Sequence, residues 1–346
     1  MLLLALALGQ AQAATGLLLG LRADRTHASL YRTLYITDDG SGVRLRAQDR
    51  STVLVATPQG QFLRAAVSRL SSPDGHFFRD HLGIGWPVTV GHPAPLNREL
   101  VPCVPVSTSV SLLFVSPALV SFEGHAFPPE LPSCTEADFF PGAELYHLHL
   151  SPPQPGILQS VFSDELDSLQ QSLAPIADLN RLFGLQTWTE LQAAWRKTFA
   201  GLPALTRQSL TELGSEQADP GNWAVVRRSG RWALRARVAG FTATATFDVP
   251  VPLPVSITGW DTLALPWASI RARVPDARDA FSSPDGHLLG VMTGRVLNVY
   301  RLVSGRFGTP DLSVPLEAPE SAVSIGWASG DEVARWAGEL DRFSVP

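Results

Sequence analysis

The chain has 346 residues, of which 45% are apolar and 17% charged, enough for a large core and far from the makeup of a disordered polymer. Its net charge of −5 gives no global attraction to nucleic acid or to an anionic membrane surface. Lys197 is the only lysine among 27 Lys and Arg, so arginine is the default cation along the whole chain.

In chain order, the apolar run Met1 to Leu8 is followed by Ala11-Gln12-Ala13. That is the pattern of a signal peptide over 1–13, cut before Ala14, because the run is too short to span a bilayer. Export to the periplasm or the exterior is the expectation, with no transmembrane span in the mature chain. A β-rich part over 14–157 comes next. Asp38-Asp39-Gly40 carries a turn signal ahead of the alternating Val43 to Ala47, and Ser111 to Val115 and Leu119 to Phe122 read as strands broken by Pro117. Cys103 and Cys134 are the only cysteines. In an exported chain they are a candidate disulfide, set against two unpaired buried thiols, and neither has a partner at zinc-ligand spacing.

A helical insert is expected over 158–213, after the Pro152 to Gly156 linker. Ser163 is a candidate cap for a helix carrying Leu166, Leu169 and Leu173. Thr187-Trp188-Thr189-Glu190 matches a capping box ahead of the stripe Trp188, Leu191, Trp195 and Phe199. The remainder, 214–346, is again β-rich. Arg231 to Val238 alternates, with Trp232, Leu234, Ala236 and Val238 on one face and Arg231, Arg235 and Arg237 on the other; Phe241 to Phe247 completes a hairpin. Ser329 to Glu332 is a capping box for a terminal helix with Val333, Trp336 and Leu340 turned inward.

One hexapeptide occurs twice, as Ser71-Ser72-Pro73-Asp74-Gly75-His76 and as Ser282-Ser283-Pro284-Asp285-Gly286-His287. Proline presets the second turn position, aspartate bonds its own backbone and glycine accepts positive φ, so both copies read as turns. After the second copy, Leu288 to Met292, Val296 to Leu302, Leu312 to Val314 and Ala322 to Trp327 read as four short strands, the content of one propeller blade. The stretch 280–327 resembles blades of the TolB-type and WD-repeat β-propellers, in which such a turn leads into a strand and a later strand ends near an aromatic residue. The resemblance implies a mainly β, propeller-like fold, here with a helical insert and a C-terminal helix. The alternative is two small antiparallel β-domains joined by a helical segment.

Asp74 and Asp285 invite an acid–base reading, but each is already explained by its own turn. A strand would place His147 and His149 on one face, within reach of a common metal, against the plainer reading of two exposed strand histidines; His76 and His81 flank Phe77 to Asp80, where no spacing resembles His-Glu-x-x-His. The lone lysine follows Arg196 rather than a glycine, which excludes a phosphate-binding loop, and Gly326 to Gly330 has the wrong spacing for a nucleophile elbow. No catalytic, cofactor-binding or metal-ligating residue is selected. Arg231, Arg235 and Arg237 are a candidate binding face for an acidic envelope polymer, against the plainer reading of a solvated strand face. The functional expectation is a non-catalytic binding or scaffold protein of the cell envelope, whose partner is an envelope protein or polysaccharide and not nucleic acid. An exported hydrolase acting on envelope material is the alternative.

Overall fold

The computed structural model describes residues 14–25, 28–71, 78–85, 107–127, 149–150, 157–163, 179–212, 217–219, 221–239, 243–317 and 319–341. The signal-peptide segment, Cys103, Cys134, Asp74, His76, His147 and the helix expected after Ser163 lie outside them. Among the described residues no helix is long and apolar enough to cross a membrane.

The chain is mainly β, built from several small sheets. The first contains β1 (Thr15–Arg25), β2 (Ala28–Asp38) and β3 (Val43–Asp49). Leu17, Leu18, Leu19 and Leu21 of β1 are all at most 1% exposed. A strand covered on both faces reads as an unbroken apolar run, not as alternation, which is why Leu17 to Leu19 carry no period-two signal. Gly20 is required here, because a Cβ would stand 2.6 Å from Val53 Cγ1.

The second sheet holds β4 (Val53–Ala56), β5 (Phe62–Ser71), β6 (Phe78–Gly85), β7 (Ser107–Val115), β8 (Leu119–Phe127), β9 (His149–Leu150) and β10 (Leu158–Ser163). β6 and β7 are joined by the single parallel pair Arg79↔Thr108. The two halves of the sheet enclose one core, with Val53, Leu63 and Leu82 on one side and Leu112, Val120 and Phe122 on the other. Helices α1 (Leu179–Phe183), α2 (Leu185–Gly201) and α3 (Ala204–Glu212) follow. They pack with the third sheet, β11 (Trp223–Arg228), β12 (Arg231–Ala239) and β13 (Thr244–Val249). A proline-rich strap with the short helices α4 (Val255–Thr258) and α5 (Trp267–Arg273) leads to the fourth sheet. That sheet is β14 (Asp279–Ser282), β15 (Leu288–Met292), β16 (Val296–Arg301) and β17 (Leu312–Pro315) in sequential order. β18 (Glu320–Ser329) and α6 (Asp331–Asp341) end the chain.

β18 does not stay with the strands before it. It pairs antiparallel with β1, from Thr15↔Ser329 to Ala23↔Glu320, so the first sheet runs β18-β1-β2-β3 and the two β-rich parts of the chain share it. This corrects the expected blade: its fourth strand is β14, before the hexapeptide, and not the strand 322–327. The second hexapeptide is a turn, with Ser282↔Leu289 closing β14 to β15; the first joins antiparallel strands that end at Ser71↔Phe78, and its residues 72–76 lie outside the described ones.

Two further expectations are corrected. The segment from 158 begins as a strand, parallel to β8, and Ser163 ends it; its Oγ donates to Gly124 O at 3.0 Å. α2 starts earlier than the capping box, at an N-cap glycine, Gly184, with φ 85. Thr187 therefore lies in the first turn, where its hydroxyl donates back to Phe183 O at 3.2 Å. The stripe itself holds, with Leu191 and Trp195 buried and Trp188 and Phe199 packed beside them. So does the terminal helix, which buries Val333, Trp336 and Leu340 against Leu18, Tyr35 and Phe62.

Candidate functional site

The densest polar cluster forms around the second hexapeptide, where the fourth sheet meets the start of β1 and the end of β2. Ser283 Oγ donates its hydrogen to Asp285 Oδ1 and accepts from His287 N at 3.1 Å and Leu288 N at 2.9 Å. A hydroxyl has one hydrogen and two lone pairs, so Ser283 is fully used. Asp285 Oδ2 accepts from Thr15 Oγ1 at 3.0 Å. Burial works to raise the Asp285 pKa, but bonds from Ser283, the His287 amide and Thr15 outweigh it and hold the carboxyl below its usual range. The imidazole Nε2 of His287 lies 2.9 Å from Asp38 Oδ2, and Gly40 N donates to Asp38 Oδ1 at 2.9 Å. Serine, histidine and aspartate are thus present together, but the serine's hydrogen goes to Asp285 and the histidine's bond to Asp38. The cluster ties a turn to a neighbouring sheet; it does not activate a nucleophile.

A second cluster joins the third and fourth sheets. Arg227 is 4% exposed at its side chain and donates from Nε to Asp279 at 2.9 Å, from one terminal nitrogen to Asp261 and from the other to Ala280 O at 2.6 Å. The two carboxylates also accept from backbone: Asp279 from Gly230 N at 2.8 Å and Asp261 from Trp232 N at 2.6 Å. The guanidinium lies over the Trp232 ring, 5.1 Å from its centroid. Burial raises the Asp261 pKa more than Arg227 lowers it. Asp261 belongs to the chain's single Trp-Asp dipeptide, which here clamps the strap to the β11–β12 turn.

The arginines singled out from sequence have separate roles. Arg231 is exposed; Arg235 is half-buried and 3.2 Å from Asp248; Arg237 is 9% exposed and donates to Glu123 at 2.6 Å. Burial works to raise the Glu123 pKa, but His125 and Arg237 outweigh it and hold the carboxyl down at about 2. β6 and β9 pair at His81↔His149, while His147 lies outside the described residues. Among the described residues no group of three or more His, Cys, Asp or Glu is placed to hold a metal. Sequence reasoning missed Thr15, Asp38, Asp261 and Asp279. Asp38, through its turn, and Asp261, through its Trp-Asp dipeptide, carried the only local signals among these four. Compared with models of protein families, with curated proteins and with solved structures, the chain finds no match.

Proposed function

We propose that this chain is an exported, non-catalytic binding or scaffold protein of the cell envelope, with its sheets arranged in a closed, propeller-like ring. The observation that carries the reading is the direction of the polar bonds. Ser283, Asp285, His287 and Asp38 spend theirs on backbone amides and on one another across two sheets, and Arg227 with its two aspartates does the same. Such a molecule invests its polar chemistry in holding a rigid frame, and a rigid frame presents loops and rims.

The ring is supported by the sequence of shared cores. The fourth sheet packs on the first through Phe281, Leu288, Leu17 and Leu34. The other face of the first sheet packs on Leu54 and Phe62 of β4 and β5. The β4 half of the second sheet meets its β8 half, whose far face offers Phe114 and Leu119 to the third sheet. Arg227 and the strap then return to the fourth. On this reading the four hydrogen-bonded sheets, the second counted as two layers, would make five layers in a circuit. The pairing of β1 with β18 joins the early and late strands of the chain in one sheet, and on this reading it is what closes the circuit. The apolar leader over 1–13 supports export.

The test incubates the purified chain with isolated envelope material and follows co-sedimentation together with release of soluble fragments. Co-sedimentation without fragment release is expected. Release of fragments establishes the hydrolase instead, and a chain left wholly in the supernatant refutes the binding role.

A further inference from the structure

We infer that the rim carrying Arg231, Arg278 and Arg295 docks a linear acidic polysaccharide, its carboxylates held by the guanidinium groups. The inference rests on the binding role above and moves the contact away from Arg235 and Arg237, which already hold Asp248 and Glu123.

Several of the described arginines are consumed by carboxylates. Arg32, Arg69, Arg227, Arg228, Arg237 and Arg301 each pair with a carboxylate. Arg231, Arg278 and Arg295 are exposed, and among the described residues none of their guanidinium groups makes a hydrogen bond or ion pair. They lie at one end of the third and fourth sheets. Gly230, beside Arg231, donates to the side chain of Asp279, which is beside Arg278. The guanidinium of Arg278 lies 3.1 Å from where a Cβ on Gly294 would stand, directly over the β15–β16 turn that carries Arg295. Two like charges held at one turn repel, and an anion between them removes the cost.

The neighbouring acids make no ion pair with this rim. Asp261 and Asp279 are committed to Arg227 and to backbone amides, and Asp248 to Arg228 and Arg235. Glu317 and Asp276 are exposed, and their carboxylates make no bond to these arginines. The choice of a sugar polymer over other polyanions comes from Trp260, 41% exposed and adjacent to Asp261, which bonds the Trp232 amide next to Arg231. An exposed indole one residue from that contact offers a flat apolar face for a pyranose ring, and the guanidinium groups the charge for its carboxylate.

Polygalacturonate is the probe, titrated calorimetrically into the full chain beside uncharged dextran and a single-stranded oligonucleotide. Binding of polygalacturonate is expected, weakening at least tenfold between about 20 and about 200 mM salt as screening shortens the reach of the charges. The triple change Arg231→Ala, Arg278→Ala, Arg295→Ala should weaken it at least tenfold, and Trp260→Ala should weaken it without changing the salt dependence. Arg196→Ala, on the exposed side of α2, should leave it unchanged. If the triple variant loses its fold by circular dichroism, the three single changes serve, each expected to weaken binding about threefold. Equal affinity of the arginine variants, equal binding of dextran, or tighter binding of the oligonucleotide overturns the inference. Co-sedimentation with envelope material that survives in the triple variant shows that this rim has failed while the binding role stands; its absence in the unaltered chain shows that the role has failed.

Discussion

Replacing Arg227 by methionine tests whether the joint between the third and fourth sheets is held by charge. The side chain is 4% exposed and its carboxylate partners Asp261 and Asp279 are 16% and 11% exposed, so all three groups have left most of their water. Methionine keeps much of the volume against Trp232 but leaves two carboxylates near apolar surroundings, each with one backbone amide still donating to it. Breaking a buried pair from one side costs about 3–5 kcal/mol. At roughly 2.1 cal/mol/K of unfolding entropy per residue, a loss of about 4 kcal/mol lowers the melting temperature of a chain this size by about 5 °C. Calorimetric melting of the variant beside the parent measures it. Adding Asp261→Asn and Asp279→Asn to the same chain should recover at least half the loss, because the stranded charges are gone while the amides keep their acceptors. A drop under about 1 kcal/mol in the single variant, or no recovery in the triple, refutes the assignment of the joint to this ion network.

Other expectations follow from named contacts. Glu123 ionises at about 2 in the folded chain, well below the ordinary carboxyl value, so its contribution is full above pH ~4.5 and is lost as pH falls towards 2. The shift corresponds to about 3 kcal/mol, and acid titration of the Glu123→Gln variant should show a flatter stability curve across that window. A Cβ on Gly290 would stand 2.0 Å from Phe281 Cε2, so Gly290→Ala should destabilise the fourth sheet by about 1–3 kcal/mol in denaturant melts. Thr15→Val removes the hydroxyl bonded to Asp285 and should cost about 1 kcal/mol; an unchanged denaturation midpoint speaks against a role for this bond in holding β1 to the hexapeptide turn.

What could be read in the sequence was local. β12 shows clean alternation because one face meets the core and the other meets arginine-paired carboxylates, and its partner β13 alternates with it; period two survives in both. The terminal helix was legible because Val333, Trp336 and Leu340 repeat at helical spacing on a surface element. β1 was hidden because burial on both faces erases the pattern. The start of α2 was misplaced because a glycine at φ 85 defines it, and no rule based on capping hydroxyls detects that. The polar clusters were out of reach for a different reason: Asp38 and His287 are 249 residues apart, and their meeting depends on how whole sheets pack.

The pairing of β1 with β18 bears on how such contacts can exist at all. β1 is a central strand, bonded to β2 along its whole length and to β18 on its other edge. Until the last segment of the chain arrives, that second edge of β1 presents unpaired backbone groups, and the Leu18 and Tyr35 face lacks its cover from α6. Contacts of long sequence separation therefore complete a strand covered on both faces, and closing them carries a loop-entropy cost that only a whole assembled frame can offset. The polar ties from Thr15 to Asp285, from Asp38 to His287 and from Arg32 to Glu320 all bridge the early and late thirds of the chain. Each needs a late segment docked on an early one, so none of these ties can exist in a chain whose early and late parts have not met.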